Sequence, residues 1–414
     1  MALLSPLFVQ KKERNTMATA DIVIIGSGII GASIAYQIAQ RDTTNKIVLL
    51  ERDTIASGSS GRATGGIRQQ FADERDIRFS IEGVRFYEQF TRTINSDNAR
   101  PRFYQYGYLF LVTNEASWQT MQRCVTLQQT LGVPTQLLSQ YEVTQRIPQL
   151  CVDDIIGATF CPTDGYSDPG AMTRALTVEA QKQGVLVCEQ SPVVGITVTN
   201  GKVQAVQTPQ ETIHTNIVIN ATGAYSSLLA RLVGIDDLPV YPIRRQLYLT
   251  EPSTELPVDV PMMVDLSTGF HFRRRGDRIL LTTPLPFDEA KLRDSELPLT
   301  DDAFQLSIDK NFWQNTLLPQ IQKRCPALAQ VPIAQVWSGL YEMTPDEHPI
   351  LGKTEVEGFL CASGFSGHGF MHAPMAAKLM TELILDGTST TYPIEPFALE
   401  RFRSGQLLET TRLL

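Results

Sequence analysis

Three glycines, Gly26, Gly28 and Gly31, follow the apolar run from Val23 to Ile25 in the order Gly26, Ser27, Gly28, Ile29, Ile30, Gly31. Residues without side chains at this spacing serve three ends: a tight turn, close approach of backbone N–H groups to a pyrophosphate, and close packing of a helix on a strand. The unpaired N–H groups and positive dipole end of the following helix then face the phosphates. A second apolar run, Lys46 to Leu50, ends at Glu51 and Arg52. An acid about 20 residues beyond the last glycine is placed to bind a ribose hydroxyl. Strand, glycines, helix, strand and acid in one βαβ unit describe a Rossmann-type dinucleotide site. The motif alone suits FAD and NAD equally.

Further segments carry small residues with free backbone donors. The stretch Ala56-Ser-Gly-Ser-Ser-Gly-Arg-Ala-Thr-Gly-Gly-Ile-Arg-Gln-Gln-Phe71 offers Gly58, Ser59, Ser60, Gly61, Ala63, Thr64, Gly65 and Gly66. Such residues suit a pyrophosphate and the edge of a flavin ring, and a nicotinamide site does not need them. Strands are expected at 185–189, 193–198, 202–207 and 216–219, with Asn200-Gly201 as a hairpin turn. The last strand leads into Asn220-Ala-Thr-Gly-Ala-Tyr-Ser226. Two more segments follow: Gly339-Leu-Tyr-Glu-Met-Thr-Pro-Asp346, and Ser363-Gly-Phe-Ser-Gly-His-Gly-Phe-Met-His-Ala-Pro374. The second opens a helix ending near Gly387, with Pro374 expected in its first turn.

Taken in order, these segments resemble the FAD-dependent D-amino-acid oxidase superfamily, in its branch of sarcosine oxidases, dimethylglycine dehydrogenases and amino-acid dehydrogenase subunits. The resemblance runs from about residue 20 to 390 and implies FAD as cofactor. It implies that the chain passes under FAD at Ala221, Thr222 and Gly223, with Val193 on the adenine side. Gly364, Gly367, His368, Gly369, Phe370 and Met371 would form the glycine loop facing the flavin, where amides and a helix dipole suit the negative charge of the reduced ring. Arg68 would bind a substrate carboxylate through its planar fork, the alternative being a structural ion pair. Tyr341 would line the substrate cavity, or be a core tyrosine with a satisfied hydroxyl. His271 would lie in a strand over the flavin, in chemistry or in cross-strand packing.

The implied activity is oxidation of the C–N bond of a small amino acid or a secondary or tertiary amine, of the sarcosine, proline, glycine or D-amino-acid class. The chain departs from the branch at informative places. Gly339 stands where monomeric sarcosine oxidases attach FAD through cysteine, and Ser167 where heterotetrameric ones attach a second flavin, so FAD is expected to be non-covalent. A lysine after Gly-His-Gly-Phe is Met371 here, and residues 278–283 contain no lysine. A cation there would stabilise superoxide beside the flavin. Its absence points to a dehydrogenase passing electrons to a carrier, rather than an oxidase releasing hydrogen peroxide. A non-catalytic flavoprotein assembly factor is the reading from another class.

The elements that must position these residues read as α/β (α+β). A Rossmann-type FAD-binding domain is expected from 17–95, 151–236 and 337–414. A discontinuous substrate domain on a mixed sheet is expected from 96–150 and 237–336, with helical patterns at 78–93 and 115–131. Arg244 and Arg245 are expected as a structural hydrogen-bonding pair, and Arg273 to Arg275 as a solvated turn-side run. His368 and His372 stand four apart, but His368 precedes the helix, so no metal site is expected. The net charge of −8 argues against a nucleic-acid partner. The six cysteines lack a Cys-x-x-Cys pair, as expected of free thiols in a reducing compartment. No apolar run is long enough to span a membrane. Residues 1–16 are expected as a disordered tail and the protein as cytoplasmic, with an electron acceptor and hetero-subunits as possible partners.

Overall fold

The computed structural model describes residues 18–94, 101–284 and 308–409. The tail expected at 1–16 lies outside them. The strand Ile22–Ile25 is buried along its whole length and pairs in parallel with Ile47–Leu50 and Val218–Asn220. Successive side chains on a strand point to opposite faces, so a strand covered on both sides must be apolar throughout. Here Ile22 and Ile24 pack toward the helices, while Val23 and Ile25 pack against Ile196, Val203, Val206 and Ile213 of a hairpin layer. The complete sheet runs Ile350–Lys353, Phe359–Ser363, Val218–Asn220, Ile22–Ile25, Ile47–Leu50, Leu186–Cys188. Only its edge strand Ile350–Lys353 pairs antiparallel.

The helix Ile29–Arg41 packs between Pro169–Lys182 and Gly369–Asp386, and Glu74–Thr93 packs on the last of these. The hairpin layer orders Ala18–Thr19, Thr212–His214, Lys202–Gln207 and Gly195–Thr199. Its turn holds Asn200 at φ 51° and Gly201 at φ 74°, the left-handed pair that a two-residue hairpin demands.

A second, eight-stranded sheet runs Ile333–Met343, Tyr241–Thr250, Arg278–Thr282, His271–Arg275, Met262–Asp265, Tyr108–Val112, Gly157–Cys161, Gln136–Leu138. It is mixed: Met262–Asp265 and Tyr108–Val112 pair in parallel, and the other neighbours are antiparallel. Its strand Gly157–Cys161 comes from the 151–236 stretch read with the dinucleotide segments.

Two sequence expectations are corrected here. Arg273, Arg274 and Arg275 lie within a strand, and the first two are only 3% and 6% exposed. Arg273 donates to the carbonyls of Thr64 and Arg274, Arg274 to those of Pro257, Ser253 and Leu256, and Arg275 pairs with Asp168 at 3.1 Å. Guanidinium groups enter the interior when carbonyls satisfy their donors.

Pro374 lies inside the helix Gly369–Asp386, beyond its first turn. Proline lacks the N–H that would bond the carbonyl four residues earlier. That carbonyl, of Phe370, instead accepts a 2.6 Å bond from the fully buried Tyr87 hydroxyl on the helix Glu74–Thr93. Tyr87→Phe therefore leaves a buried carbonyl without a partner, and a loss of about 1–3 kcal/mol in urea unfolding is expected. An unchanged midpoint would show that water replaces the hydroxyl.

Candidate active site

Between the two sheets lies a cavity of about 710 Å³. At one end Gly26 adopts φ 103°, and a Cβ there would sit 2.5 Å from the Ala221 carbonyl oxygen. A Cβ on Gly31 would lie 1.9 Å from the Gly26 carbonyl oxygen, so this glycine is what lets the helix close on the strand. Gly28 precedes the first helical residue and, having no side chain, lines the cavity with backbone alone. Glu51 is pinned across the turn: its Oε2 accepts from Ser27 N at 2.8 Å and Ser27 Oγ at 2.9 Å, and its Oε1 from Asp53 N at 3.0 Å. The Arg52 guanidinium stacks 4.4 Å from the Tyr225 ring centroid.

The 58–66 segment is fastened at several points. Ser60 Oγ accepts from Ile29 N at 2.8 Å. Trp337 Nε1 donates to the Arg62 carbonyl at 3.1 Å, Arg62 Nη1 to the Ser338 carbonyl at 3.3 Å, and Arg273 Nε to that of Thr64. The loop thus bridges the helix start and the second sheet.

Of the residues expected at a cofactor, Gly26, Gly28, Ile29, Ile30, Glu51, Arg52, Gly58, Ser59, Ser60, Ala63, Thr64, Gly65 and Gly66 line this one cavity. So do Val193, Ala221, Thr222, Gly223, Gly367, His368, Gly369, Phe370 and Met371. Ser27, Gly31, Gly61 and Gly364 do not line it. Ser27 holds Glu51, and the others permit close approach of neighbouring atoms: a Cβ on Gly61 would lie 2.1 Å from the Ala56 carbonyl oxygen, and one on Gly364 2.4 Å from the Thr344 methyl carbon Cγ2.

The other end gathers Arg68, His271 and Tyr341, the three residues expected in chemistry. Arg68 is 4% exposed. It donates to the Gln70 carbonyl, lies 3.4 Å from His368 Nε2, and stacks 3.8 Å from the Phe71 ring centroid. Among the described residues it has no ion-pair partner, and burial lowers its pKa. The two residues after it are held by Asp164, which accepts from Gln69 N at 2.9 Å and Gln70 Nε2 at 3.2 Å. Burial pushes the Asp164 carboxyl up to about 6.

His271 Nδ1 lies 2.8 Å from the Gly269 carbonyl oxygen, which fixes the proton on that nitrogen. Burial lowers its pKa to about 4, with Arg245 and Arg68 acting the same way. The ring is therefore neutral near pH 7 and keeps a lone pair on Nε2.

Arg245 was not legible as a site residue: it lines the cavity, 5.1 Å from the Tyr341 ring centroid. Of the Arg244–Arg245 pair expected to make structural hydrogen bonds, Arg245 Nη1 donates to the Arg244 carbonyl at 3.4 Å, and Arg245 also faces the cavity because a strand turns neighbouring side chains to opposite faces. Asp76, Tyr108 and Glu342 also line the cavity, and no motif marked them. Among the described residues, no group of three His, Cys, Asp or Glu is placed to hold a metal. No described helix is long and apolar enough to cross a membrane.

Comparison with known proteins gives a consistent result. Residues 21–383 match the family DAO, FAD dependent oxidoreductase. The FAD-dependent oxidoreductase domain-containing protein 1 of Xenopus laevis is 29% identical, over 94% of this chain and 84% of that one. The mitochondrial dimethylglycine dehydrogenase of Rattus norvegicus is 24% identical over 94% of this chain, which spans 45% of that protein. The crystal structure of L-proline dehydrogenase from P. horikoshii is 30% identical, with a TM-score of 0.85, covering 95% of this chain and all of that one.

Proposed function

Because this chain belongs to the FAD dependent oxidoreductase family, we propose that it oxidises the C–N bond of a small amino acid or a secondary or tertiary amine. One observation carries the substrate side of this reading: a buried guanidinium, Arg68, without a carboxylate partner among the described residues, in the same cavity as the glycine cradle. A buried charge is costly unless paired, so an anionic substrate supplies what the fold withholds. The likeness to a protein described as L-proline dehydrogenase supports the amino-acid class.

FAD fits the remaining cavity. Gly26, Gly28 and the 58–66 loop would hold its pyrophosphate, Glu51 a ribose, Val193 the adenine side, and 367–371 the flavin, non-covalently. Bound there, FAD would supply hydride acceptance from the carbon attached to the substrate nitrogen. Arg68 orients the carboxylate, and Tyr341 limits the space beside it. The unprotonated Nε2 of His271 suits acceptance of a hydrogen bond from the substrate N–H. Most of the rate comes from such positioning. The imine product leaves and hydrolyses in water.

We take the electron acceptor to be a carrier, since 278–283 supplies no lysine. One observation favours the oxidase reading instead: Arg245 brings a cation to the same cavity, and a cation there would stabilise superoxide. Anaerobic mixing of holoprotein with sarcosine, L-proline, glycine and D-amino acids tests the proposal. Bleaching of the flavin by one of them is the expected result, and no bleaching by any amine overturns it. Hydrogen peroxide released under air would then decide for the oxidase.

A further inference from the structure

Glu342 is a cavity-lining acid that the amine chemistry leaves unused. It follows Tyr341 near the end of the strand Ile333–Met343. The backbone N–H groups of Gly364 and Phe365 favour its ionised form, while Oε2 is withdrawn from solvent and has no hydrogen-bond partner. That oxygen stands 3.4 Å from where a Cβ of Gly223 would be, and Oε1 3.9 Å from the same point on Gly369. Both glycines line the cavity. A single carboxyl thus spans the 221–223 segment and the start of the helix Gly369–Asp386, where two missing side chains leave it beside the cofactor space.

The elements around it carry other titratable or charged groups. These are Tyr341 on its own strand, Glu347 beyond it, and Tyr241, Arg244 and Arg245 on the paired strand. Tyr225, with Arg52 stacked on it, lies on the 223–225 turn, and His368 precedes the helix. None of these outweighs burial, which pushes the Glu342 carboxyl up to about 7 against the pull of the two N–H groups. Burial holds His368 well below its ordinary value, so that ring stays neutral near pH 7 and above.

We propose that Glu342 is a proton-exchanging acid facing bound FAD, neutral beside the reduced cofactor and ionising as pH rises, so that cofactor affinity and reduction both depend on its charge. Two-electron reduction adds negative charge to the cavity, and the Glu342 carboxylate takes one proton from water in response. No bond to the cofactor forms or breaks. The inference rests on the family's cofactor and is independent of any amine substrate.

The test uses the full-length protein and dithionite as reductant. FAD binding to apoprotein, followed by flavin fluorescence, is expected to weaken about tenfold between about pH 6 and about pH 8.5 in the wild type, and to stay level in Glu342→Gln. The midpoint potential of bound FAD is expected to fall more steeply with pH in the wild type than in the variant. Parallel behaviour of the two proteins overturns the proposal. A second readout needs no variant: the reduced-minus-oxidised infrared difference spectrum of wild-type holoprotein at about pH 8 gains a protonated-carboxyl band. Absence of that band overturns the proposal as well. Neither measurement contains an amine, so failure here leaves the substrate reading untouched.

Discussion

Arg68→Ala is expected to raise KM for amino-acid substrates by about 100-fold while changing KM for the corresponding amides by less than about threefold. The magnitude follows from losing charge-assisted hydrogen bonds to a carboxylate in a desolvated site, about 2–4 kcal/mol, with about 1.4 kcal/mol for each tenfold. The split between acid and amide matters because Arg68 also stacks on Phe71 and touches His368. A variant that merely loosened the cavity would weaken both substrate kinds alike. Arg68→Lys keeps the charge and loses the fork, and an intermediate KM is expected. Equal effects on acids and amides would remove Arg68 from substrate recognition.

The second large effect concerns the glycine cradle, where two substitutions of the same size separate folding from binding. Gly31→Ala drives a Cβ to 1.9 Å from the Gly26 carbonyl oxygen, a contact with backbone that only a displaced helix relieves. Both stability and FAD content are expected to collapse. Gly28→Ala meets only Ser60 Oγ, at 3.2 Å, a side chain that can turn aside. Its apoprotein is expected to melt within about 1 kcal/mol of wild type, while FAD affinity falls at least about 30-fold because the new methyl group enters the phosphate space. Apoprotein melting and FAD titration of both variants provide the check. Gly28→Ala that takes up FAD as tightly as wild type would show that the pyrophosphate lies elsewhere.

The contrast between these glycines and the buried arginines explains how far the sequence could be read. A missing side chain is demanded by steric contact within one βαβ unit, so Gly26, Gly28 and Gly31 announce themselves locally. Arg273 donates to Thr64, some 209 residues earlier, through a carbonyl that every residue possesses. Such a partner leaves no trace in the sequence, and three consecutive arginines therefore looked solvated. Pro374 is similar: its position inside a helix is tolerable because Tyr87, 283 residues before Phe370, takes the freed Phe370 carbonyl. Arg245 and Glu342 were hidden for another reason. Which residues of an edge-to-edge strand pair face a cavity depends on where the second sheet meets the first, and that geometry arises only in the folded molecule.

Arg273, Trp337 and Ser60 together hold the 58–66 segment shut from two directions. Opening that segment over a bound dinucleotide means breaking its bonds to the helix start and to the second sheet. Exchange of the prosthetic group between folded holoprotein and apoprotein should therefore be slow, paced by the parting of these bonds rather than by diffusion.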